Sequence, residues 1–323
     1  MNNKASILSA PPNPVTFYVQ AGSHVGLGHL FRSAAVIRGL AEKGISARVR
    51  LDADTLGQEE AAALGLGGDS FFHSGPGPVV IDAVSIPDAA ATWLADFSLR
   101  ILISPVCDRA DLATHALVRE APEKLRGDLP DQSELVTDLA FGFITARGLR
   151  AQPRDYASLT LGICLSGGDD RFDLNGLLGE LSWVRGLDEI RLLDRRIPEV
   201  LPDYGPKLMH TQSTRRPWVF LGPANVFLGG EGVMLAEAVA QGIPAFSLSA
   251  TSDGGKNTAL VDTGSVKLIP RAPFEPASLI SMLSDRRSLE EMHKSALHNV
   301  GVNSGESLVG RIVDLLSAGD YPK

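Results

Sequence analysis

Short apolar runs rich in β-branched residues alternate along this chain with longer stretches in which apolar residues recur at helical spacing. A strand needs few residues, whereas a helix covering a sheet needs an apolar stripe, so this alternation predicts parallel βαβ units and not an all-β fold. In the first half, strands are expected over Thr16–Gln20, Ala47–Asp52, Pro78–Asp82 and Leu99–Ser104, with helices over Leu30–Lys43, Thr55–Leu64 and Pro87–Asp96. Leu30, Ala34 and Ile37 form the inward stripe of the first helix.

From about Arg119 to Asp155 the rhythm lapses into a stretch with Pro122, Pro130, Pro153 and many charges, and the junction between domains is expected near its end. The pattern restarts with a strand over Leu159–Leu165 and a helix over Leu174–Trp183. Strands over Glu189–Leu193, Lys207–Thr211 and Val226–Leu228 follow, then a helix over Val233–Gln241 and a strand over Ala245–Leu248. Pro276–Ser284 and Leu308–Ser317 read as closing helices. At roughly 150 residues per domain, the 323-residue length suits two domains. The expected fold class is therefore α/β, two doubly wound Rossmann-like domains facing a cleft, spanning residues 1–155 and 156–323, with the last helix packing back on the first domain.

Composition narrows the partners. The net charge is −8 and no long Lys/Arg run appears, so the electrostatic footprint of a nucleic-acid binder is missing. A small phosphorylated ligand stays open, because helix N-termini hold phosphate without a basic surface. No stretch approaches a membrane span, and residues 1–15, broken by Pro11, Pro12 and Pro14, do not read as a signal peptide. Cys107 and Cys164 lie in apolar surroundings without CxxC spacing, as buried free thiols of a cytoplasmic protein do.

Three glycine clusters sit where chemistry collects in open parallel sheets, beyond the ends of strands. The first, Gly22 to His29, precedes the first helix and matches neither the dinucleotide fingerprint nor the Walker loop. It places His29 at a helix start, where the macrodipole disfavours an imidazolium and a neutral ring can act as a base; a histidine that only caps or packs is the competing reading. Arg32 follows one turn later on nearly the same face. The second cluster, Ser166 to Asp170, ends in carboxylates that read best as caps of the following helix. The third runs from Leu228 to Gly232 and leads into an apolar helix carrying Glu237; its N–H groups suit a diphosphate, and Glu237 suits two ribose hydroxyls. No metal-ligand spacing stands out: His24 and His29 flank a glycine loop, and His293 and His298 read as solvated residues of a polar helix.

In this order the clusters resemble the UDP-sugar hydrolases of the pseudaminic-acid pathway, which release UDP from a 2,4-diacetamido-2,4,6-trideoxyhexose. More widely they are similar to glycosyltransferases of the two-Rossmann, GT-B type. Gly26-Leu27-Gly28-His29-Leu30-Phe31-Arg32 looks like the GxGHxxR segment, Val79 to Asp82 like the strand that ends in Asp, and Leu165 to Asp169 like the S-G-G-x-D turn. Gly229 to Glu237 looks like the nucleotide loop with its ribose-binding glutamate, and Asn257, ahead of Leu260 and Gly264, like the segment that closes over the nucleotide.

The resemblance implies a metal-independent hydrolase that needs no cofactor and works in nonulosonic acid biosynthesis, feeding flagellin or surface glycan decoration. In it His29 activates water against the anomeric carbon, Gly28, Arg32 and Asp82 contact the sugar, and Gly167, Gly168, Gly230, Glu231, Gly232, Glu237 and Asn257 hold UDP. The first domain then carries the sugar and the catalysis, the second the nucleotide. The expected partners are the UDP-sugar and, transiently, other enzymes of the sugar pathway. The sequence departs from the family pattern at Ala83-Val84, where a His-Tyr pair is usual, at Gln20, where Arg is common, and over Asp253 to Asn257. These departures leave the sugar and the acceptor open, with a glycosyltransferase or a non-catalytic sugar-nucleotide-binding protein as alternatives.

Overall fold

The computed structural model describes residues 14–66, 77–146, 153–165, 172–198, 205–249, 257–271, 273–299 and 304–318. Strands β1 (Val15–Ala21), β2 (Ala47–Ala53), β3 (Pro78–Asp82), β4 (Leu99–Leu102), β5 (His115–Val118) and β6 (Glu134–Thr137) form a parallel sheet in the order β2-β1-β3-β4-β5-β6. Strands β7 (Leu159–Cys164), β8 (Leu187–Leu193), β9 (Lys207–Thr211), β10 (Val226–Gly229), β11 (Ala245–Ser249) and β12 (Val266–Pro270) form a second, in the order β9-β8-β7-β10-β11-β12. Both are doubly wound, as the alternating pattern predicts. The strand order reverses between β1 and β3 in one sheet and between β7 and β10 in the other, and ligands of such sheets collect beyond the strand ends at the reversal.

Each strand buries alternate residues on opposite faces. Val15, Phe17 and Val19 of β1 belong to one apolar cluster, while Tyr18 joins Val79 and Ile81 on the other face. The second sheet repeats this, with Leu159, Leu161 and Ile163 on one side and Cys164 on the other. Covering helices in the first half are α1 (Gly28–Glu42), α2 (Thr55–Ala63), α3 (Asp88–Ala95) and α4 (Glu123–Asp128). Those of the second are α5 (Leu174–Leu181), α6 (Pro217–Leu221), α7 (Val233–Ala240), α8 (Thr258–Asp262), α9 (Pro276–Ser284) and α10 (Arg286–Asn299). The final helix, α11 (Ser304–Ala318), inserts Leu308, Val309, Ile312 and Leu316 into the cluster that contains Phe17.

Of the stretch from Arg119 to Asp155, the part up to Ala146 is more regular than its prolines and charges predict. It holds α4, β6 and a 3-10 segment, Leu139–Ala146, kinked at Phe143. Strand β6 lies at a sheet edge with its ends exposed, so it needs no continuous apolar run and leaves little trace in the pattern. The 3-10 segment lies at the seam between the two sheets. Phe141 and Ile144 enter the core of the first sheet, whereas Phe143 enters that of the second beside Leu235 and Ala236.

Two local expectations are corrected. The cap of α5 is Asp173, which accepts from the Gly176 N–H at 2.8 Å, and Asp169 and Asp170 lie outside the described residues. His293 is buried, not solvated, 2.5 Å from the carbonyl of Gly242, to which its Nδ1–H donates, with its ring edge-on to Tyr156.

Because Ile312 is fully buried against strands far away in sequence, Ile312→Ala should cost about 2–5 kcal/mol, the range for removing such a side chain from a packed core. Urea unfolding measures this; a loss of only a few tenths would mean that α11 is not part of the first core.

Candidate functional site

The two reversal points face each other across a cavity of about 590 Å³. Its first wall is built from the loop after β1 and the start of α1, including His24, Gly28, His29 and Arg32. Its second is built from the loop after β10 and the start of α7, including Gly230, Glu231, Gly232 and Glu237. The two helix starts nearly touch: a Cβ on Gly28 would stand 3.2 Å from Cγ2 of Val233. Glycine at that position therefore lets the walls close without pushing α7 away.

The loop after β1 is pinned by Asp54. Its carboxylate caps α2 through the Gly57 N–H at 3.0 Å and also accepts from the N–H and hydroxyl of Ser23, at 2.7 and 2.6 Å. The hydrogen bonds from Ser23, then that from Gly57, hold the carboxyl down at about 2.

Asp82 ends β3 beneath α1 and is fully buried. Arg32 donates to it through Nε at 3.0 Å and through Nη2, and Ser33 donates its hydroxyl at 3.0 Å. His29 Nδ1 lies 2.7 Å from Oδ1 of Asp82. Burial pushes this carboxyl up, but the Arg32 guanidinium and His29 outweigh it and hold it at about 2, so it is ionised and can only accept. The proton on the imidazole must therefore sit on Nδ1, and the 3.0 Å approach of Arg32 Nη2 to that nitrogen follows from both groups crowding one oxygen. This leaves Nε2 as the ring atom able to take a proton.

Glu237 is the opposite case. It is 2% exposed on the second wall, and among the described residues no side chain or N–H donates to its carboxylate. Burial, unopposed, pushes its carboxyl up to about 8. Such a group gains from any ligand that brings two hydroxyl donors. Beside it α7 begins with no side-chain cap, so its first N–H groups are open to an anion. Not every expected donor is free: the Gly230 N–H is given to the Cys164 carbonyl at 3.3 Å.

Gly28, His29, Arg32, Gly230, Glu231, Gly232 and Glu237 all border the cavity. Gly167 and Gly168 lie outside the described residues. Asp82, expected at the substrate, does not reach it: both carboxylate oxygens are taken, and its action is on His29 and Arg32. Asn257, expected over the nucleotide, is fully buried behind the wall, donating to Ser247 Oγ at 3.1 Å and accepting from Arg119 at 2.6 Å. Gln20 explains why Ala83 and Val84 do not line the cavity. Its amide oxygen accepts from the N–H groups of Val84 and Ser85 at 3.0 and 3.1 Å, which folds that loop back onto the end of β1.

Cavity residues that the pattern does not signal are Arg119, Phe141, Gly142, the run Asp194 to Arg196, Gln212 to Thr214, and Arg271. Arg119 directly follows a strand, the position where ligands collect, but β5 is only four residues long. Among the described residues no cluster of His, Cys, Asp or Glu could hold a metal ion, and no helix is long and apolar enough to cross a membrane.

The folded carboxyl of Asp82 lies below the ordinary value of about 3.9, so the unfolded chain takes up the proton first as pH falls. Its stabilisation is complete above about pH 4 and is lost toward pH 2. Asp82→Asn should cost about 3 kcal/mol at pH 7, because Arg32 keeps its charge without a counter-ion. It should also flatten the acid limb of stability, which urea titrations across pH would show.

No family model matches the chain, and no curated protein matches its sequence. Solved structures do match over nearly all of it. The putative UDP-N-acetylglucosamine 2-epimerase from Listeria monocytogenes superposes with a TM-score of 0.64 at 10% identity, covering 96% of this chain and 99% of its own. The UDP-GlcNAc 2-epimerase from Neisseria meningitidis, bound to UDP-GlcNAc, gives 0.59 at 12%, covering 93% and 100%. The glycosyltransferase SnogD from Streptomyces nogalater gives 0.56 at 13%, covering 94% and 99%. At these identities the likeness is one of fold, and the chain has the GT-B-like arrangement of two Rossmann-like units.

Proposed function

We propose that this protein is an enzyme acting on a nucleotide sugar, and that it hydrolyses the bond between the anomeric carbon and the diphosphate. The observation that carries this reading is a single cavity with two unlike walls. One offers His29, its tautomer set by Asp82; the other offers a buried carboxyl with no donor among the described residues, Glu237, beside an uncapped helix start. The ribose diol donates to Glu237 and the phosphates meet the N–H groups at the start of α7. Water bonds to the anomeric carbon and gives a proton to Nε2 of His29. The carbon–oxygen bond to the β-phosphate breaks, its electron pair stays on the phosphate oxygen, and the products are the nucleoside diphosphate and the free sugar. The resemblance to pseudaminic-pathway hydrolases supports UDP as the nucleotide, a diacetamido-trideoxyhexose as the sugar and a reaction without metal or other cofactor.

One observation favours a second reading. The cavity is also bordered by Ile103, Pro105, Val106, Leu117 and Phe141, apolar side chains that suit an acceptor other than water. A glycosyltransferase would seat an apolar alcohol there, with His29 taking that hydroxyl's proton.

Incubation with a panel of UDP- and CMP-sugars, followed by NMR for free nucleotide and reducing sugar, tests the reaction. Turnover without an added acceptor supports hydrolysis, and turnover only with one establishes transfer. His29→Ala should lower turnover by about a hundredfold or more, the usual contribution of general-base catalysis, while UDP affinity barely changes. Near-normal turnover in this variant would make His29 structural.

The folded carboxyl of Glu237 lies above its ordinary value, so ionising it opposes folding as pH rises from about 4.5 to about 8. Glu237→Gln should melt higher than the wild type at pH 8 yet bind UDP about ten- to a hundredfold more weakly, the loss expected for hydrogen bonds to a charged group. At pH 7 calorimetry in buffers of different ionisation enthalpy should show proton release on UDP binding by the wild type, and less by this variant. Equal UDP affinity in the two proteins would remove Glu237 from the nucleotide site.

A further inference from the structure

Arg119 crosses from the first sheet to the second. It leaves the end of β5, borders the cavity, and its Nη2 donates to Oδ1 of Asn257 at 2.6 Å. The next residue repeats the crossing: Glu120 Oε2 accepts from the Ala259 N–H at 2.8 Å, at the start of α8. The stem of Arg119 runs over Gly142 in the seam, where a Cβ would stand 2.9 Å from its Cδ and 3.7 Å from Cβ of Ala236. Glycine there leaves room for the stem, which carries the guanidinium across the seam to Asn257. The side chain is 9% exposed. Burial pushes the guanidinium down to about 10; Glu120 supports the charge, Arg32 opposes it and Glu231 supports it, so it remains a cation at neutral pH.

We propose that Arg119 is the first-domain cation that meets the β-phosphate of the bound nucleotide. This rests on the nucleotide-sugar reading above. The β-phosphate carries the sugar, and the anomeric carbon faces His29, so of the two phosphates it is the one nearest the first wall. The start of α7 meets it from one side with N–H groups. Arg119, anchored by Asn257 and bordering the same cavity as Glu231, meets it from the other. A nucleoside monophosphate reaches the second wall alone and does not engage Arg119.

The test is calorimetric titration of the full chain with UDP and UMP. The wild type should prefer UDP. Arg119→Met should lose about tenfold or more in UDP affinity, the scale of a charge-assisted contact to phosphate, and keep its UMP affinity within about threefold. Arg119→Lys, which retains the charge without the fork, should fall between the two. Gly142→Ala, which displaces the stem without removing the cation, should lower UDP affinity in the same selective way. Equal loss for both nucleotides, or an unchanged UDP preference, would reduce Arg119 to a structural strut and overturn the proposal. If Arg119→Met lacks the wild-type melting transition, Arg119→Lys and Gly142→Ala decide by the same comparison. A wild type that binds neither nucleotide would instead overturn the reading of the cavity, and one that binds both equally would overturn the role of Arg119 alone.

Discussion

Asp82 is an ionised carboxylate with no access to water, and burying such a charge is costly unless it is paired and hydrogen-bonded. Three side chains of one helix compensate it: His29, Arg32 and Ser33, all from the first turns of α1. The requirement works in both directions. It holds α1 at one height and rotation over the strand ends, and it sets which nitrogen of His29 carries the proton. Movement of α1 would uncover or strand the charge, so the geometry of the first wall is held by the same contacts that make burial of Asp82 tolerable.

The second wall is organised differently. Glu237 is as deeply placed as Asp82 but has no donor among the described residues. Two buried carboxyls in one molecule thus part in acidity, one held at about 2 and the other pushed to about 8, because one faces the Arg32 guanidinium and further donors and the other has burial alone. Strongly perturbed acidities cluster at functional sites and also arise in structural ion-pair networks. Here the compensated carboxyl fixes the start of α1, and the uncompensated one borders the cavity.

Between the walls runs a seam that belongs to neither sheet. Phe141 and Ile144 face one core and Phe143 the other, while Arg119 and Glu120 hold Asn257 and the start of α8. Arg215 reaches the cavity-lining Glu60 at 3.0 Å, and α11 returns from the far end of the chain to finish the first core. The cavity therefore depends on contacts that cross from one sheet to the other at several points.

Legibility in the sequence follows from the range of the interactions concerned. The alternation of apolar runs determined the two doubly wound units, and the glycine clusters marked the strand ends bearing His29, Arg32, Gly230 and Glu237, because strand periodicity and turn chemistry are local. Strands β5, β6 and β12 stayed hidden: the first two are four residues long, and β6 and β12 lie at sheet edges where one covered face suffices. Side chains that act at a distance were misplaced for the same reason. Nothing beside Asp82 or Asn257 in the chain says that the first turns inward to α1 or that the second lies behind the wall against Arg119. Those partners stand 50 and 138 residues away, and only the closure of the two sheets onto one seam brings them together.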